Sequence, residues 1–241
     1  MRFSLLLISA FLFTSSALAD TTLTYKNSAG EPVMLYYLTS SQIRSEDHSE
    51  NMVIIYDAKA GTQVILYPDS REYAVLSADA FNQQVSGPLA EFQKTMESIP
   101  PEQRAMMKNM MGAMLEQFKP TVTKGEHTSV AGYDCQKVSI TIGNKVSSKM
   151  CLADPADLGI SAAEYGTLNQ LMDDMQEMVN KMLSGLGIDL SALTELDGVP
   201  VSITEGGSTK VLSSISHEEL DADLFTVPDG YTQKSLTQAG Q

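Results

Sequence analysis

The sequence predicts an α+β chain in which one antiparallel β-sheet carries two methionine-rich helical inserts over a face. Three observations lead there. Short β-branched and aromatic runs separated by polar, glycine or proline turns fill the stretch from Thr22 to Ser77. Two later stretches repeat apolar residues at the three-and-four spacing of a helix. Strand patterns return after each of them, and the order sheet, helix, hairpin, helix, sheet favours one sheet over two independent domains.

The first residues stand apart from that fold. MRFSLLLISAFLFTSSALAD has one cation at Arg2, an apolar run from Phe3 to Phe13, and Ala17 and Ala19 ahead of Asp20. This is the three-part pattern of a secretory signal peptide, residues 1–19, with the domain occupying 20–241. The apolar core is shorter than the roughly 20 residues that span a bilayer, and no later run reaches that length, so no transmembrane anchor is expected in the mature chain. The expected location is the periplasm. The formal charge of −14 becomes more negative by one when Arg2 is removed, and such a surface repels phosphate backbones. Nucleic acid is therefore excluded as a partner class.

The six runs LTYKN, PVMLYYLTS, SQIRSE, MVIIYDA, TQVILY and EYAVLS read as an antiparallel meander, because their connections are too short for helical crossovers. Alternation puts Val53, Ile55, Val64 and Leu66 on one face, and Ile54, Tyr56, Ile65 and Tyr67 on the other. Both faces are apolar, so something must cover the second as well.

The first helical insert, about 87–119, runs from Gly87-Pro88 through Pro100-Pro101 to Lys119-Pro120, with Pro101 suited to a first helical position. Met107, Met110, Met111, Met114 and Phe118 form its stripe. In the second insert, about 161–185, the stripe is Leu168, Leu171, Met172, Met175, Met178 or Val179, and Met182, with Gly185 as a stop. Between them, YDCQKVSITIGNKVSSKMCL reads as a hairpin turning near Gly143. Cys135 and Cys151 are then equally distant from the turn and opposed, at a separation a disulfide accepts. Closing that loop is worth roughly 3 kcal/mol. After Gly198 the runs VPVSITEG and STKVLSSISH return to strand.

These residues resemble the DUF4412 family of bacterial exported proteins. The likeness lies in YYLTSSQIRSED, MVIIYDAKAGTQVILYPDSREYAVL, VAGYDCQKVSI and FTVPDGYT, in that order, across roughly Tyr25 to Tyr231. Gly132, Tyr133 and Cys135 match the family's Gly-Tyr-x-Cys element, and Pro228, Gly230 and Tyr231 its closing Pro-x-Gly-Tyr element. Where members often carry an aromatic, this chain has Lys149-Met150-Cys151. The resemblance implies an arrangement like that of the periplasmic lipoprotein carriers LolA and LolB: a strongly curved half-barrel sheet with the helices covering its concave face and an apolar cavity between them. It transfers no active residue.

No catalytic constellation is present. His48, His127 and His217 are far apart and lack metal-ligand spacing, no GxSxG elbow occurs, and the glycine pairs lack a phosphate-cradle context. No metal site and no cofactor are expected. The methionines, 14 in all, are the unusual feature. They fit ordinary helix packing, a ligand cavity, a partner surface or a soft-metal site for Cu(I). The leading expectation is a non-enzymatic carrier for an apolar small molecule or lipid, lined by Met107, Met110, Met111, Met114, Phe118, Leu171, Met172, Met175, Met178 and Met182. The alternative is an envelope protein that docks a partner on its Met-rich helical surface, and copper binding is the minor one.

Overall fold

The computed structural model of the chain describes residues 20–77, 79–80, 91, 94–95, 98–104, 106, 110, 119–143, 145–183 and 196–235. Two meanders build one sheet. The first is β1 (Thr21–Lys26), β2 (Pro32–Leu38), β3 (Gln42–Asp47), β4 (Met52–Asp57), β5 (Thr62–Tyr67) and β6 (Glu72–Ser77). The second is β7 (Pro120–Val130), β8 (Tyr133–Ile142), β9 (Lys145–Ala153), β10 (Val199–Glu205) and β11 (Ser208–Ser216). A short β12 (Thr232–Gln233) lies parallel to β6. The 12-stranded order is β12-β6-β5-β4-β3-β2-β1-β11-β10-β9-β8-β7, so the meanders meet where β1 pairs antiparallel with β11.

The expected half-barrel is corrected by that order. β12 and β7 stand at opposite edges and do not pair, and the sheet is neither closed nor strongly curled. A concave face covered by two helical inserts is also not what is seen. One long helix, α1 (Ala162–Leu183), packs on one face. Of the first insert, only residues 91, 94–95, 98, 101–104, 106 and 110 are described as helical. The short connections still force neighbouring antiparallel pairing; they do not by themselves supply curvature. The proposed signal segment, 1–19, lies outside the described residues.

The alternation read from the sequence divides the two faces. Leu23, Leu38, Ile43, Tyr56, Val201 and Leu212 belong to the core beneath α1. Val53, Ile55 and Leu66 form a second cluster with Phe225, joined by Tyr37, Val64 and Tyr73. Its cover is the segment after β11, where the 3₁₀ turn η2 (Ala222–Phe225) brings in Phe225 and its neighbours Leu220, Leu224, Val227 and Tyr231 pack around. Polar anchors hold this tail, among them three to residues far back in the chain. The Leu220 amide donates to Asp20 Oδ2 at 3.0 Å, Arg44 Nη1 donates to the Leu224 carbonyl at 2.9 Å, and the Thr232 amide donates to the Arg71 carbonyl at 2.9 Å.

The cysteine pair forms the expected disulfide, Cys135–Cys151, with Cα atoms 5.4 Å apart. Its register differs from the symmetrical reading. Ile140 faces Ser148 while Thr141 faces Val146, leaving Ser147 as an extra residue whose hydroxyl donates to the Ile140 carbonyl at 3.1 Å. This bulge slides β9, so Cys151 lies opposite Lys137 and the bridge runs diagonally. Both cysteines are buried in the α1-covered core.

Candidate functional site

A capping box starts α1. Glu164 Oε2 accepts from the Ser161 amide at 2.8 Å and from its hydroxyl at 2.7 Å, and the Glu164 amide donates back to Ser161 Oγ at 3.3 Å. Before it, η1 (Pro155–Leu158) begins at Asp154, whose carboxylate accepts from the Ala156 amide, and buries Leu158. Gly159 then adopts φ +70°, and a Cβ there would come within 2.6 Å of His217 Nε2, so glycine is required for this close approach.

The row that α1 turns inward is not the one its hydropathy advertises. Glu164 and Thr167 are buried, and Leu168, Leu171 and Tyr165 pack against the core. Two polar contacts set the rotation of the next turns. Tyr56, itself buried, donates its hydroxyl to Asp174 Oδ2 at 2.5 Å, and Gln170 Nε2 donates to the Ala58 carbonyl at 2.9 Å. Burial, followed by the Asp174 hydrogen bond and charge, pushes the Tyr56 hydroxyl well above its ordinary value. Tyr165 OH donates to Asp197 Oδ1 and accepts from the Gly198 amide, both at 2.7 Å, which fastens α1 to the entrance of β10.

With Asp174 held inward, Met172 and Met175 are left outward, 52% and 43% exposed. Leu171 packs on the core and Met178 is half-buried. On the first insert Met110 is 69% exposed, and its neighbour Met106, which the stripe omitted, is 73% exposed. Met107, Met111, Met114, Phe118 and the Met182 side chain lie outside the described residues. The apolar-carrier expectation is thereby overturned. The enclosing half-barrel that would sequester a lipid is absent, and the described methionines of the two inserts open largely to solvent. Methionine spacing was legible; the inward pull of Tyr56 and the Ser161 cap on an acidic residue was not, because both depend on partners remote in sequence or on one local hydrogen bond.

The sites considered for other chemistry stay apart. Among the described residues no three His, Cys, Asp or Glu side chains converge on a metal position. His48 sits 3.5 Å from Glu46, His127 sits 3.9 Å from Asp134, and His217 Nδ1 lies 3.2 Å from Thr21 Oγ1. On the α1 side of the sheet, Lys210 on β11 pairs with Asp47 on β3 at 2.7 Å. Burial raises the Asp47 carboxyl, but hydrogen bonds from Lys210 and Ser49 and the Lys210 charge outweigh it and hold the group at about 2. Among the described residues no helix is long and apolar enough to cross a membrane.

The sequence matches a family model, a domain of unknown function (DUF4412), over residues 90–231. No curated protein matches it. Two solved structures are similar in part. One is the crystal structure of an uncharacterized conserved protein from Thermus thermophilus, 6% identical over 91% of each chain, with a TM-score of 0.44. The other is the structure of PNGF-II in the P21 space group, 12% identical over 91% of this chain and 32% of that one, with a TM-score of 0.37. The chain thus spans about a third of the length of PNGF-II. Neither likeness ties the chain to the LolA and LolB fold.

Proposed function

Since the chain belongs to the DUF4412 family, whose domain carries no assigned function, we propose from its own surface that it is a protein–protein interaction module of the cell envelope. Its docking face is the flank of α1 that presents Met172 and Met175. The observation that carries this reading is their exposure on a helix whose other side is already anchored. Thioethers are flexible and polarisable, so such a face accommodates partner side chains of several shapes.

Charge selects the partner. On α1 the carboxylates of Asp173 and Glu177 are exposed, whereas Glu164 is buried in the capping box and Asp174 is held by Tyr56, and the whole chain is at −14. The occupant we infer is therefore a cationic amphipathic segment of another protein, its apolar side on the methionines and its basic side toward the acidic surface. An anionic lipid surface is disfavoured by the same charge. The setting proposed is extracytoplasmic, a reading supported by the signal-like residues 1–19 and by a cysteine pair closed into a disulfide.

A fluorescent helical peptide of leucine and lysine, with a leucine and glutamate counterpart, tests the docking reading. The lysine peptide is expected to bind, to weaken as salt rises, and to lose about tenfold in affinity with Met172→Ala and Met175→Ala together, the loss of roughly 1–2 kcal/mol of apolar burial. Equal binding of both peptides, or binding indifferent to the two substitutions, sinks it. Amino-terminal sequencing of the protein recovered from its native compartment tests export, with Asp20 as the expected first residue.

A further inference from the structure

The exposed thioethers have a chemistry besides packing. Met106, Met110, Met172 and Met175 are 73%, 69%, 52% and 43% exposed, whereas Met34 is 7% exposed within the core. From this contrast we propose that each of the four is a modification site at which peroxide-class oxidants reversibly convert methionine to methionine sulfoxide. The sulfur lone pair attacks one peroxide oxygen, an S–O bond forms and the O–O bond breaks. Sulfur gives up two electrons, the sulfur-bound oxygen loses its proton, and the hydroxide departing from hydrogen peroxide takes that proton and leaves as water.

The surroundings favour a neutral oxidant. A chain at −14, with the exposed Asp173 carboxylate beside Met172, repels anionic oxidants, while hydrogen peroxide is uncharged at neutral pH. The fold is also arranged to survive the change. Leu168 and Leu171 pack inward and Asp174 is held by Tyr56, so the oxygens gained at Met172 and Met175 point toward water and not into the core. Reversal needs two electrons from a separate protein dithiol acting as a sulfoxide reductant, because both cysteines of this chain are committed to the Cys135–Cys151 bridge. A sulfoxide is polar where the thioether was apolar. Its effect on docking rests on the function proposed above; the oxidation itself does not.

Timed exposure of the folded protein to hydrogen peroxide, followed by peptide mass mapping, tests the site without any partner. The expected result is oxidation of Met106, Met110, Met172 and Met175 about tenfold or more faster than Met34, with the thermal midpoint moved by no more than about 2 °C when those four are modified. Met34 keeping pace with them, or loss of the folded state as they react, overturns the proposal. The variant Met172→Leu with Met175→Leu preserves apolar area and is expected to take up two fewer oxygens. If peroxide weakens the native chain's binding of the lysine peptide about tenfold and treatment with a sulfoxide-reducing protein dithiol restores it, the site also controls docking. Failure of the unoxidised native chain to bind that peptide overturns the docking reading alone and leaves the mapping to decide this one.

Discussion

The two faces of the sheet are covered in different ways. The segment after β11 lays Phe225 onto Val53, Ile55 and Leu66 with Leu220, Leu224 and Val227 around it, and it is bonded through Asp20, Arg44 and Arg71. Its large apolar groups are used for closure. Helix α1 covers the other face with Leu168, Leu171 and a polar seam, and still presents Met172 and Met175 outward. A short irregular cover can place each side chain where it is needed, whereas a helix fixes their angular spacing. Whatever rotation satisfies Asp174 must expose something else. The tail therefore serves stability, and the helix divides its apolar residues between stability and surface.

Substitutions that break this contrast are ordered by size. Phe225→Ala is expected to cost about 3–4 kcal/mol in denaturant unfolding, since it removes the centre of one cluster and leaves a cavity. On the helix side, replacing Cys135 and Cys151 together by alanine should cost about 3 kcal/mol, measured against the native chain with and without reductant. Tyr56→Phe is expected to cost about 1.5 kcal/mol through loss of the bond to Asp174. The wild-type contribution has a pH signature whose sign follows from the raised tyrosine. It is fully present below pH 10, the value of the unfolded side chain, and is lost as pH rises toward the higher folded value, so the Tyr56→Phe variant should show a weaker alkaline decline.

Smaller effects sharpen the contrast. Asp47 has the opposite sign: its lowered folded value gives a contribution present above about pH 3.8 and lost as pH falls through about 2. Lys210→Met should remove much of that acid dependence at a cost of about 1 kcal/mol at neutral pH, read from unfolding curves at several pH values. Met172→Ala with Met175→Ala should change stability by less than about 0.5 kcal/mol each, because neither side chain closes the core. A loss of several kcal/mol there would mean that the helix surface is structural after all, and the contrast between the two covers would collapse.

Sequence pattern carried the sheet further than the site. Alternation in MVIIYD and TQVILY separated Val53, Ile55 and Leu66 from Tyr56, because period two is imposed by the strand itself. The cysteine pairing was legible, but its diagonal register depended on a bulge at Ser147 that no side-chain pattern announces. β7 went unread because KGEHTS alternates weakly and lies at an edge, where one side of the strand faces water. The tail cover was missed too: an isolated Phe225 in a polar stretch has no periodicity to reveal it. Curvature and the outward turn of Met172 and Met175 were beyond pattern altogether, since each is decided by contacts between residues far apart in the chain.

The seam between β1 and β11 sets the order in which this protein can be assembled. Ser213 Oγ donates to the Thr24 carbonyl across 189 positions, and the ladder there joins the first described strand to the last long one. During synthesis β1 can pair with β2 early, but its other edge stays unsatisfied until β11, 189 positions further on, has been made. Loop-closure entropy must be met before that pairing returns any stabilisation, so folding is expected to be slow, and the nascent chain keeps an open strand edge that a holding chaperone would recognise.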